Sequence, residues 1–410
     1  LQISDILYHI KTLYASEDNA MSEKNFAAPI IYLDQAATSR PKAKGVGEAM
    51  RTYIEDVCVN VSRSAYAPST AAAINALETR ELLCDLFGFG DPTYVIFTPG
   101  HTVSLNMVLK GILRPGDHAL VSSLEHNAVM RPLVQLADSG VTFDRIPMRG
   151  DDELDLDAAE RMMHPNTKLC IVSHASNVSG TILPIDTLSN LCQKKGIFFA
   201  VDAAQTAGHY PIDLRKTAVD ALCVPGHKGL QGPGGIAAML LSSRFAAALE
   251  PLITGGTGSD SNSEIQPRYM PDRFESGTLN LAGIYGLHAA LSELLEQGVP
   301  ARRKRELALL ERFTAGLSRM EGFRTIGASD LSRRVGVVSC DFAKLDNAVV
   351  ADRLSSDYGV LTRCGLHCAP NAHKTYGTFP QGTVRFSMSH ANTEQEIDAA
   401  LAALAEILKD

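Results

Sequence analysis

The chain has 410 residues, of which 45% are hydrophobic and 20% are charged, and its formal net charge is −8 at pH 7. These values exclude disordered, collagen-like and disulfide-scaffold classes, and the length favours a large domain with a smaller one. The acidic balance argues against a nucleic-acid partner, and the short basic run from Arg302 to Arg305 is predicted to be a solvated helix face.

The alternation of short apolar runs with helical patterns, from about residue 94 to residue 238, predicts βαβ units around a mainly parallel sheet. The candidate strands are residues 94–98, 118–122, 143–147, 169–173, 197–201, 221–224 and 236–240. Helical patterns at residues 102–112 and 183–195 lie between them. The predicted fold class is therefore α/β.

The remaining elements follow in the C-terminal part of the chain. Residues 254–280 are polar and rich in Gly, Ser and Asp, which predicts a functional loop or a mobile flap. A long helix is predicted over residues 281–320, strands over 335–342 and 383–389, and a terminal helix over 392–408. We therefore expect an N-terminal extension at residues 1–28, a large domain at 29–285 and a small α+β domain at 286–410.

The compartment is inferred from the cysteines and from the absence of targeting patterns. Eight cysteines without regular spacing favour reduced thiols, which predicts a cytoplasmic protein. No apolar run reaches the length of a membrane span, so no membrane association is expected. Residues 1–28 lack the basic region and the uninterrupted apolar stretch that are typical of a signal peptide.

Two polar residues follow predicted strands, where open α/β sheets place their ligands. Lys228 lies between a strand and a glycine-rich stretch, so its amine is open to a cofactor. Asp202 ends a buried strand, and a carboxylate in such a place stays ionised only beside a cationic or hydrogen-bonding partner, such as a protonated pyridine nitrogen. Taken alone, Lys228 is better explained as a solvated loop lysine, and a helix cap explains Asp202 at least as well as a cofactor contact does.

Further candidates follow other strands. Gly100, His101 and Thr102 open a helix, where free amide groups and the helix dipole suit a phosphate. The ring of His126 could stack on a cofactor and shuttle protons near neutral pH, although a lone histidine is usually structural. Because these residues, Asn177, the aspartate and the lysine follow successive strands in order, we predict that they form one site.

Seven segments of the chain carry the motifs of one known group of enzymes. They are Tyr32-Leu33-Asp34-Gln35-Ala36-Ala37-Thr38, Glu125-His126, Ser176-Asn177-Val178-Ser179-Gly180-Thr181, Val201-Asp202-Ala203-Ala204-Gln205, Gly226-His227-Lys228, Arg273-Phe274-Glu275-Ser276-Gly277-Thr278 and Arg363-Cys364-Gly365-Leu366-His367-Cys368-Ala369. With them the chain resembles, from about residue 30 to its end, the class V aminotransferase-like group of fold-type I pyridoxal-phosphate enzymes, and specifically the cysteine desulfurase and selenocysteine lyase branch. The resemblance implies that fold, with a mainly parallel seven-stranded sheet in the large domain.

The resemblance also implies how the residues hold pyridoxal 5′-phosphate. Lys228 would form the Schiff base, Asp202 would bind the pyridine nitrogen, Gln205 would reach the ring hydroxyl and His126 would stack on the ring. The residues expected around the phosphate are Gly100, His101, Thr102 and His227. Pro225 stands where many members of the group have a hydroxyl residue, so one phosphate contact is expected to be missing.

The substrate and the second subunit are implied in the same way. Asn177, Arg385 and Arg363 would bind the substrate carboxylate, which an arginine fork suits geometrically. Thr257 would reach the phosphate of the neighbouring subunit, which predicts a homodimer. Taken alone, Arg385 reads equally well as a surface strand residue.

Cys368 occupies the position of the nucleophile that takes sulfur from the substrate. Its neighbours His367 and Arg363 are expected to lower its pKa, and Cys364 is either a resolving thiol or a bystander. One alternative is that both cysteines are inert core residues. Another is a zinc site formed by the two cysteines, His367 and His373, but adjacent ligands at this spacing match no common zinc module, and we expect no metal.

The resemblance thus implies a pyridoxal-phosphate-dependent cysteine desulfurase that converts L-cysteine to L-alanine. The sulfur would remain as a persulfide on Cys368 until a sulfur-acceptor protein takes it. Selenocysteine lysis and class V transamination are the alternatives on the same fold. A cofactor-binding scaffold without catalytic activity is an alternative of a different class.

Overall fold

The structure is a computed structural model that describes residues 30–61, 66–342 and 344–409. The expected extension at residues 1–28 lies outside the described residues. The strands are β1 (Ile31–Tyr32), β2 (Val95–Thr98), β3 (His118–Ser122), β4 (Thr142–Ile146), β5 (Met148–Arg149), β6 (Glu153–Leu154), β7 (Thr167–Ser173), β8 (Phe198–Asp202), β9 (Ala221–Pro225), β10 (Ala237–Leu241), β11 (Phe323–Ile326), β12 (Val337–Phe342), β13 (Val360–Leu361), β14 (Arg363–Gly365) and β15 (Thr383–Ser387). The helices are α1 (Val46–Thr52), α2 (Ala67–Phe87), α3 (His101–Ile112), α4 (Asn127–Ala137), α5 (Leu156–Arg161), α6 (Ile185–Lys195), α7 (Ser243–Ala248), α8 (Leu281–Gln297), α9 (Val299–Leu317), α10 (Asn347–Tyr358), α11 (Pro370–Thr375) and α12 (Glu394–Ile407).

The large sheet has seven strands in the order β2-β10-β9-β8-β7-β3-β4. Strand β10 is antiparallel to both of its neighbours, and the pairs from β9 to β4 are all parallel. Strands β3 and β9 are buried along their whole length, and such strands are apolar runs because helices cover both faces of the sheet. The predicted α/β fold with a mainly parallel seven-stranded sheet is confirmed, and each predicted strand overlaps an observed one.

Two hydrophobic cores lie on the two faces of this sheet. Successive strand residues point to opposite faces, so Phe97 belongs to one core and Ile96 to the other. Leu287 of α8 covers the first core, and Leu105 of α3 covers the second. This sandwich of helices around the sheet leaves the carboxyl ends of the strands as the place where polar side chains converge.

The long helical pattern predicted over residues 281–320 is divided between two helices in the structure. Gly298 separates α8 from α9 with φ 77° and ψ 135°, which interrupts the helix, and Pro300 lies in the first turn of α9. The preceding residues 254–280 contain no helix or strand, as the sequence predicted. Helix α8 packs on the core of the large sheet, whereas Leu310 of α9 packs on a separate core.

That separate core belongs to a four-stranded antiparallel sheet in the order β11-β12-β15-β14. Strands β12 and β15 and helix α12 lie where the sequence predicted strands and a terminal helix. Strand β1 pairs in parallel with β13, and its neighbour Leu33 is buried in this same core. Residues 31–33 thus pack with the C-terminal part of the chain, and a domain boundary at residue 285 stays a prediction.

The basic run is only half solvated, which corrects the prediction of an exposed helix face. Arg302 and Arg303 are 3% and 9% exposed, while Lys304 and Arg305 are exposed. Arg303 donates to the carbonyl oxygens of residues 331 and 332, at 3.3 and 3.1 Å. The pattern of charges in the sequence does not show that an arginine of this run is buried against a neighbouring segment.

All eight cysteines lie within the described residues and are free thiols. Five of them are buried, Cys364 is half-buried, and Cys58 and Cys368 are exposed. In the parts of the chain that the structure describes, no helix combines the length and apolar character needed to cross a membrane.

Candidate active site

A cavity of about 220 Å³ lies at the carboxyl ends of the central parallel strands. The last residues of β7, β8 and β9, which are Ser173, Asp202 and Pro225, all line it. Ten of the predicted site residues line it as well: His101, Thr102, His126, Asn177, Asp202, Gln205, His227, Lys228, Arg363 and Arg385. The structure therefore brings most of the predicted site together, although the role of each residue stays a prediction.

Lys228 lies in the turn after β9, is half-buried and lines the cavity. Burial lowers the pKa of Lys228 to about 8, with Asp202 opposing the shift and the two arginines of the cavity adding to it. Gly208 packs against this turn with φ 82°, and a Cβ atom there would lie 2.3 Å from Gly229 O. Only glycine fits this contact, which holds the backbone beside Lys228.

Asp202 is paired inside the protein rather than free. His101 Nε2 donates to Asp202 Oδ1 at 2.7 Å, and the backbone N–H of Ala204 donates to the same oxygen at 2.9 Å. Burial alone would raise the pKa of Asp202, but these interactions outweigh it and lower the pKa to about 2. The carboxylate is therefore ionised at neutral pH. His101, which was predicted to contact the phosphate, forms its observed hydrogen bond with this carboxylate.

His126 caps α4, because its Nδ1 accepts from the backbone N–H of Ala128 at 3.0 Å. An accepting Nδ1 places the proton of the neutral ring on Nε2. Burial lowers the pKa of His126 to about 4, so the ring does not titrate near neutral pH and the expected proton shuttle there is not supported. Its position on the cavity wall suits the predicted stacking role.

Glu125, which precedes His126, was not assigned a role from the sequence. Its carboxyl group is buried and accepts from Ser122 Oγ, Ser173 N and Ser173 Oγ at 2.5 to 3.1 Å. Burial, partly offset by these hydrogen bonds, raises the pKa of Glu125 to about 7. The Glu125 carboxyl group thus joins the end of β3 to the end of β7, next to the cavity-lining Ser173. The one sequence signal for this role is a charged residue at a position that is predicted to be buried.

The predicted phosphate residues are only partly assembled. Thr102 and His227 line the cavity, and His227 Nδ1 lies 3.2 Å from Thr38 Oγ1. Burial lowers the pKa of His227 to about 4. Lys42, which the sequence did not single out, donates to Thr38 Oγ1, to a second hydroxyl and to His227 O at 2.9 to 3.1 Å.

Three predicted residues do not line this cavity: Gly100, Thr257 and Cys368, whose neighbours Arg363 and His367 do line it. Gly100 is the N-cap of α3 and does not line the cavity wall. Thr257 lines other surface pockets, and its Oγ1 is 2.7 Å from Ser259 Oγ. Thr257 thus does not line the cavity of its own chain, and its expected role toward a second subunit stays a prediction.

Arg385 is fully buried and is held by two partners. Its Nη2 pairs with Asp34 Oδ1 at 2.7 Å, and its Nη1 donates to Asn177 O at 3.1 Å. Its Nε, also buried, has no hydrogen-bond partner among the described residues. Arg363 is its direct cross-strand neighbour on β14, so two guanidinium groups line one side of the cavity. Like charges placed so repel each other, which favours an anion between them.

Cys368 lies at the rim of the cavity in an unusual loop. His367 and Cys368 have φ values of 48° and 59°, a conformation that costs roughly 1–2 kcal/mol per residue outside glycine. Asn177 Nδ2 donates to His367 O, and Asn127 N donates to Cys368 O, each at 2.7 Å. These bonds hold the thiol exposed, with Arg363 Nη2 3.9 Å from its sulfur.

His367 does not supply the expected cation beside this thiol. Its Nε2 is 3.1 Å from Thr383 Oγ1, and the ring is buried. Burial lowers the pKa of His367 to about 2, so the ring is neutral at physiological pH. Of the two predicted neighbours, only Arg363 brings positive charge to Cys368.

The zinc alternative is not supported. Among residues 30–61, 66–342 and 344–409, the two cysteines, His367 and His373 do not bring three ligand atoms together. His373 Nδ1 instead forms a hydrogen bond with Thr378 Oγ1 at 2.7 Å.

Comparison with known proteins agrees with this geometry. The family model for aminotransferase class-V matches residues 31–400, and the chain belongs to that family. A "Probable cysteine desulfurase" of Pyrococcus abyssi is 34% identical over 93% of this chain and 94% of its own length. Cysteine desulfurase CsdA of Escherichia coli is 29% identical over 92% of this chain and 94% of its own.

Solved structures show the same architecture. The apo structure of cysteine desulfurase from Thermococcus onnurineus superposes with a TM-score of 0.87 and 32% identity, covering 93% of this chain and 95% of that one. The S-sulfonic acid form of Escherichia coli CsdA gives a TM-score of 0.84 at 28% identity, covering 92% and 94% of the two chains. The likeness therefore spans both sheets and the whole cavity.

Proposed function

We propose that the protein is a pyridoxal-phosphate-dependent cysteine desulfurase that converts L-cysteine to L-alanine and leaves the sulfur on Cys368. One observation carries the proposal: a half-buried lysine amine and a buried ionised carboxylate line one cavity, and an exposed cysteine thiol lies beside Arg363 of its wall. Membership of the class V aminotransferase family and relatives named cysteine desulfurase support it.

The residues of the cavity fit pyridoxal phosphate. Asp202 supplies the anion that a protonated ring nitrogen needs, His126 supplies a flat neutral ring, and Thr102 and His227 supply polar groups for the phosphate. When bound, the cofactor supplies an electron sink for a carbanion at the substrate α-carbon. His101 positions Asp202 through a 2.7 Å bond, and its buried Nδ1 lacks a partner in the described part of the chain.

Lys228 is suited to move the α-proton. A pKa near 8 leaves part of its amine unprotonated slightly above neutral pH, whereas an ordinary lysine would be almost fully charged. Asp202, with a pKa near 2, keeps its charge over the same range. The two groups therefore hold the opposite protonation states that proton abstraction beside a cationic ring requires.

The two arginines on β14 and β15 explain selection of an amino acid. Arg385 keeps one buried Nε–H unused, and Arg363 faces the same space from the adjacent strand. A substrate carboxylate would relieve the repulsion between them and accept the unused N–H. Asn177 contributes differently, since one of its amide N–H groups already holds the loop of Cys368.

Cys368 is better suited than Cys364 to take the sulfur. The thiol of Cys368 is exposed beside Arg363, and its strained backbone is maintained by the hydrogen bonds at Asn127 and Asn177. Strain of this kind is common at functional sites and is not expected at an inert packing residue. Cys364 is half-buried, and burial raises its pKa, so we assign it a bystander role.

The quaternary and cellular parts of the proposal are a cytoplasmic homodimer that hands its sulfur to an acceptor protein. Thr257 lies away from the cavity of its own chain, in a segment that exposes Ile253, Ile265 and Tyr269. A second subunit seated on this segment would cover these side chains and receive the threonine. The exposed thiol at the cavity rim is open to a protein acceptor.

The reaction is tested by product analysis with L-cysteine, L-selenocysteine and L-alanine side by side. A desulfurase forms alanine and sulfide from cysteine in the presence of a reductant. Alanine from selenocysteine alone would indicate a lyase, and a keto acid formed from alanine, with activity retained in Cys368→Ala, would indicate an aminotransferase. Absence of product from all three would contradict an enzymatic role.

The cofactor site is tested separately by borohydride reduction of the loaded protein and peptide mapping. We expect the label on Lys228, while Lys42, a second lysine with a pKa lowered by burial to about 8, stays unlabelled. Label on Lys42 or on no lysine would contradict the assignment.

A further inference from the structure

A second cluster of ligating side chains lies at the opposite end of the large sheet. His118 is the first residue of β3, Asp144 lies on the neighbouring strand β4, and His164 lies just before β7. One ligand atom from each residue comes within 4.8 Å of the others. It is the one such group among the described residues, and none of its three residues lines the active-site cavity.

The distances between these atoms match a small coordination sphere. Asp144 Oδ2 lies 3.5 Å from His118 Nε2 and 3.1 Å from His164 Nε2. Ligand atoms around a tetrahedral Zn²⁺, bound at about 2.0–2.1 Å, lie roughly 3.3 Å from one another. The third separation, between the two histidine nitrogens, lies within 4.8 Å, so an ion between the three groups needs the half-exposed Asp144 and His164 side chains to move inward.

His118 supplies the independent sign of a missing ligand. Its side chain is 3% exposed, and its Nε2 has no hydrogen-bond partner in the described parts of the protein, although it faces Asp144. A buried polar atom without a partner is uncommon and calls for an ion or a water.

The surroundings of His118 fix its orientation. Thr167 Oγ1 lies 2.8 Å from His118 Nδ1 and accepts from the backbone N–H of His164 at 2.7 Å. The pairing of β3 with β7 shifts register between His118 and Ala119, so the chain is irregular at this residue. A proton on Nδ1, donated to the threonine, leaves Nε2 as the ligand atom, the arrangement typical of metal-binding histidines.

We propose that His118, Asp144 and His164 bind one transition-metal dication, with Zn²⁺ as the ion of best fit and water as the fourth ligand. Two imidazoles and one carboxylate suit Zn²⁺, whereas Mg²⁺ and Ca²⁺ prefer oxygen ligands throughout. The exposed edges of Asp144 and His164, at 45% and 47%, give the ion access from solvent and leave room for the water.

Such an ion would stabilise the sheet rather than take part in the reaction. It would join the amino end of β3 to the middle of β4 and to the segment before β7, whereas the proposed catalytic groups follow the carboxyl ends of the strands. A ligand that binds only the folded chain raises its stability with concentration. Zinc should therefore raise the unfolding temperature without changing catalytic turnover.

The test is titration of the purified chain, freed of metal by chelator, with Zn²⁺ by calorimetry and with Co²⁺ by visible absorption. We expect one equivalent per chain and Co²⁺ bands of nitrogen and oxygen ligation. Asp144→Asn and His164→Gln, at half-exposed positions, should each weaken binding by more than about tenfold. His288→Gln is the matched control, because His288 also faces a carboxylate, that of Glu78 at 3.5 Å, without a third ligand.

The exposed thiols offer a competing explanation that the spectrum separates. Binding through Cys58 or Cys368 would give sulfur-to-cobalt charge-transfer bands that persist in Asp144→Asn, and this result would overturn the proposal. Absence of saturable binding to the parent chain would overturn it as well, as would equal affinity in the parent chain and His164→Gln.

Discussion

The ion pair between Arg80 and Glu275 joins the segment of residues 254–280 to helix α2 and to the edge strand β2 of the large sheet. Arg80 of α2 binds both carboxylate oxygens of Glu275, at 2.9 and 2.7 Å, and also donates to Val95 O. Glu275 in turn accepts from Phe97 N at 2.6 Å, on the outer edge of β2. Both side chains are at most 7% exposed.

Glu275→Gln should destabilise the fold by about 3–5 kcal/mol, because it leaves the Arg80 guanidinium buried without a counter-charge. The side-chain amide of the glutamine would also place N–H donors where two N–H groups of Arg80 and the backbone N–H of Phe97 already converge. The double variant Arg80→Met/Glu275→Leu removes both charges but leaves Phe97 N–H and Val95 O unpaired, at about 1–3 kcal/mol each. The free energy of unfolding that this double variant loses should therefore be smaller than the sum of the losses in Arg80→Met alone and Glu275→Leu alone.

The assay is urea unfolding at neutral pH, followed by the shift of the midpoint at constant slope. Asp398→Asn is the matched control, since Arg312 binds both oxygens of Asp398 at 2.6 and 2.7 Å with side chains 42% and 51% exposed. That exposed pair should contribute at most about 1 kcal/mol. Equal losses for Glu275→Gln and Asp398→Asn would refute the argument from burial.

Three further changes test the active-site region. Lys228→Met should stabilise the cofactor-free protein by up to about 3 kcal/mol at pH 7, because a lysine whose pKa falls from 10.5 to about 8 on folding costs stability below pH 8. Urea unfolding should show the difference between the two proteins disappear toward pH 10.5. Equal stability of the variant and the parent chain at pH 7 would contradict the prediction. His101→Ala should raise the pKa of Asp202, so that cofactor affinity, measured by absorbance titration, falls more steeply below neutral pH than in the parent chain. Gly208→Ala should lower the stability by roughly 2–5 kcal/mol, since its Cβ would lie 2.3 Å from a carbonyl oxygen and φ is 82°. Gly116→Ala is the control: φ is 92° there but the space around it is open, so the loss should be about 1–2 kcal/mol. Equal losses of stability in thermal unfolding would contradict the steric argument.

The large sheet was predictable because parallel strands buried on both faces leave apolar runs in the sequence. The break between α8 and α9 was missed because helical periodicity continues on both sides of it, although Gly298 followed by Pro300 is a sequence signal for the end of one helix and the start of another. The burial of Arg302 and Arg303 escaped prediction for a related reason. A helix face shows its charges in the sequence, but not the loops that cover it.

Part of the lining of the site followed from residues that come soon after strands, whereas Gln205, Arg363 and Arg385 were expected only from the resemblance. The partners of the lining residues did not follow from the sequence, because each contact joins distant parts of the chain: His101 meets Asp202, and Asp34 meets Arg385 across 351 positions. The same holds for His367, whose neutral state depends on burial rather than on the residues beside it. Sequence patterns locate groups on elements, whereas pairing and protonation depend on the packing between elements.

The most direct test of the proposed function is a single turnover with L-cysteine in the absence of reductant. The cofactor-loaded chain should form one alanine per site, and mass spectrometry should place the persulfide on Cys368. Cys364→Ser should behave like the parent chain, and Cys368→Ser should form no persulfide. A persulfide on Cys364, or the full yield of alanine from Cys368→Ser, would contradict the assignment of Cys368 as the residue that takes the sulfur.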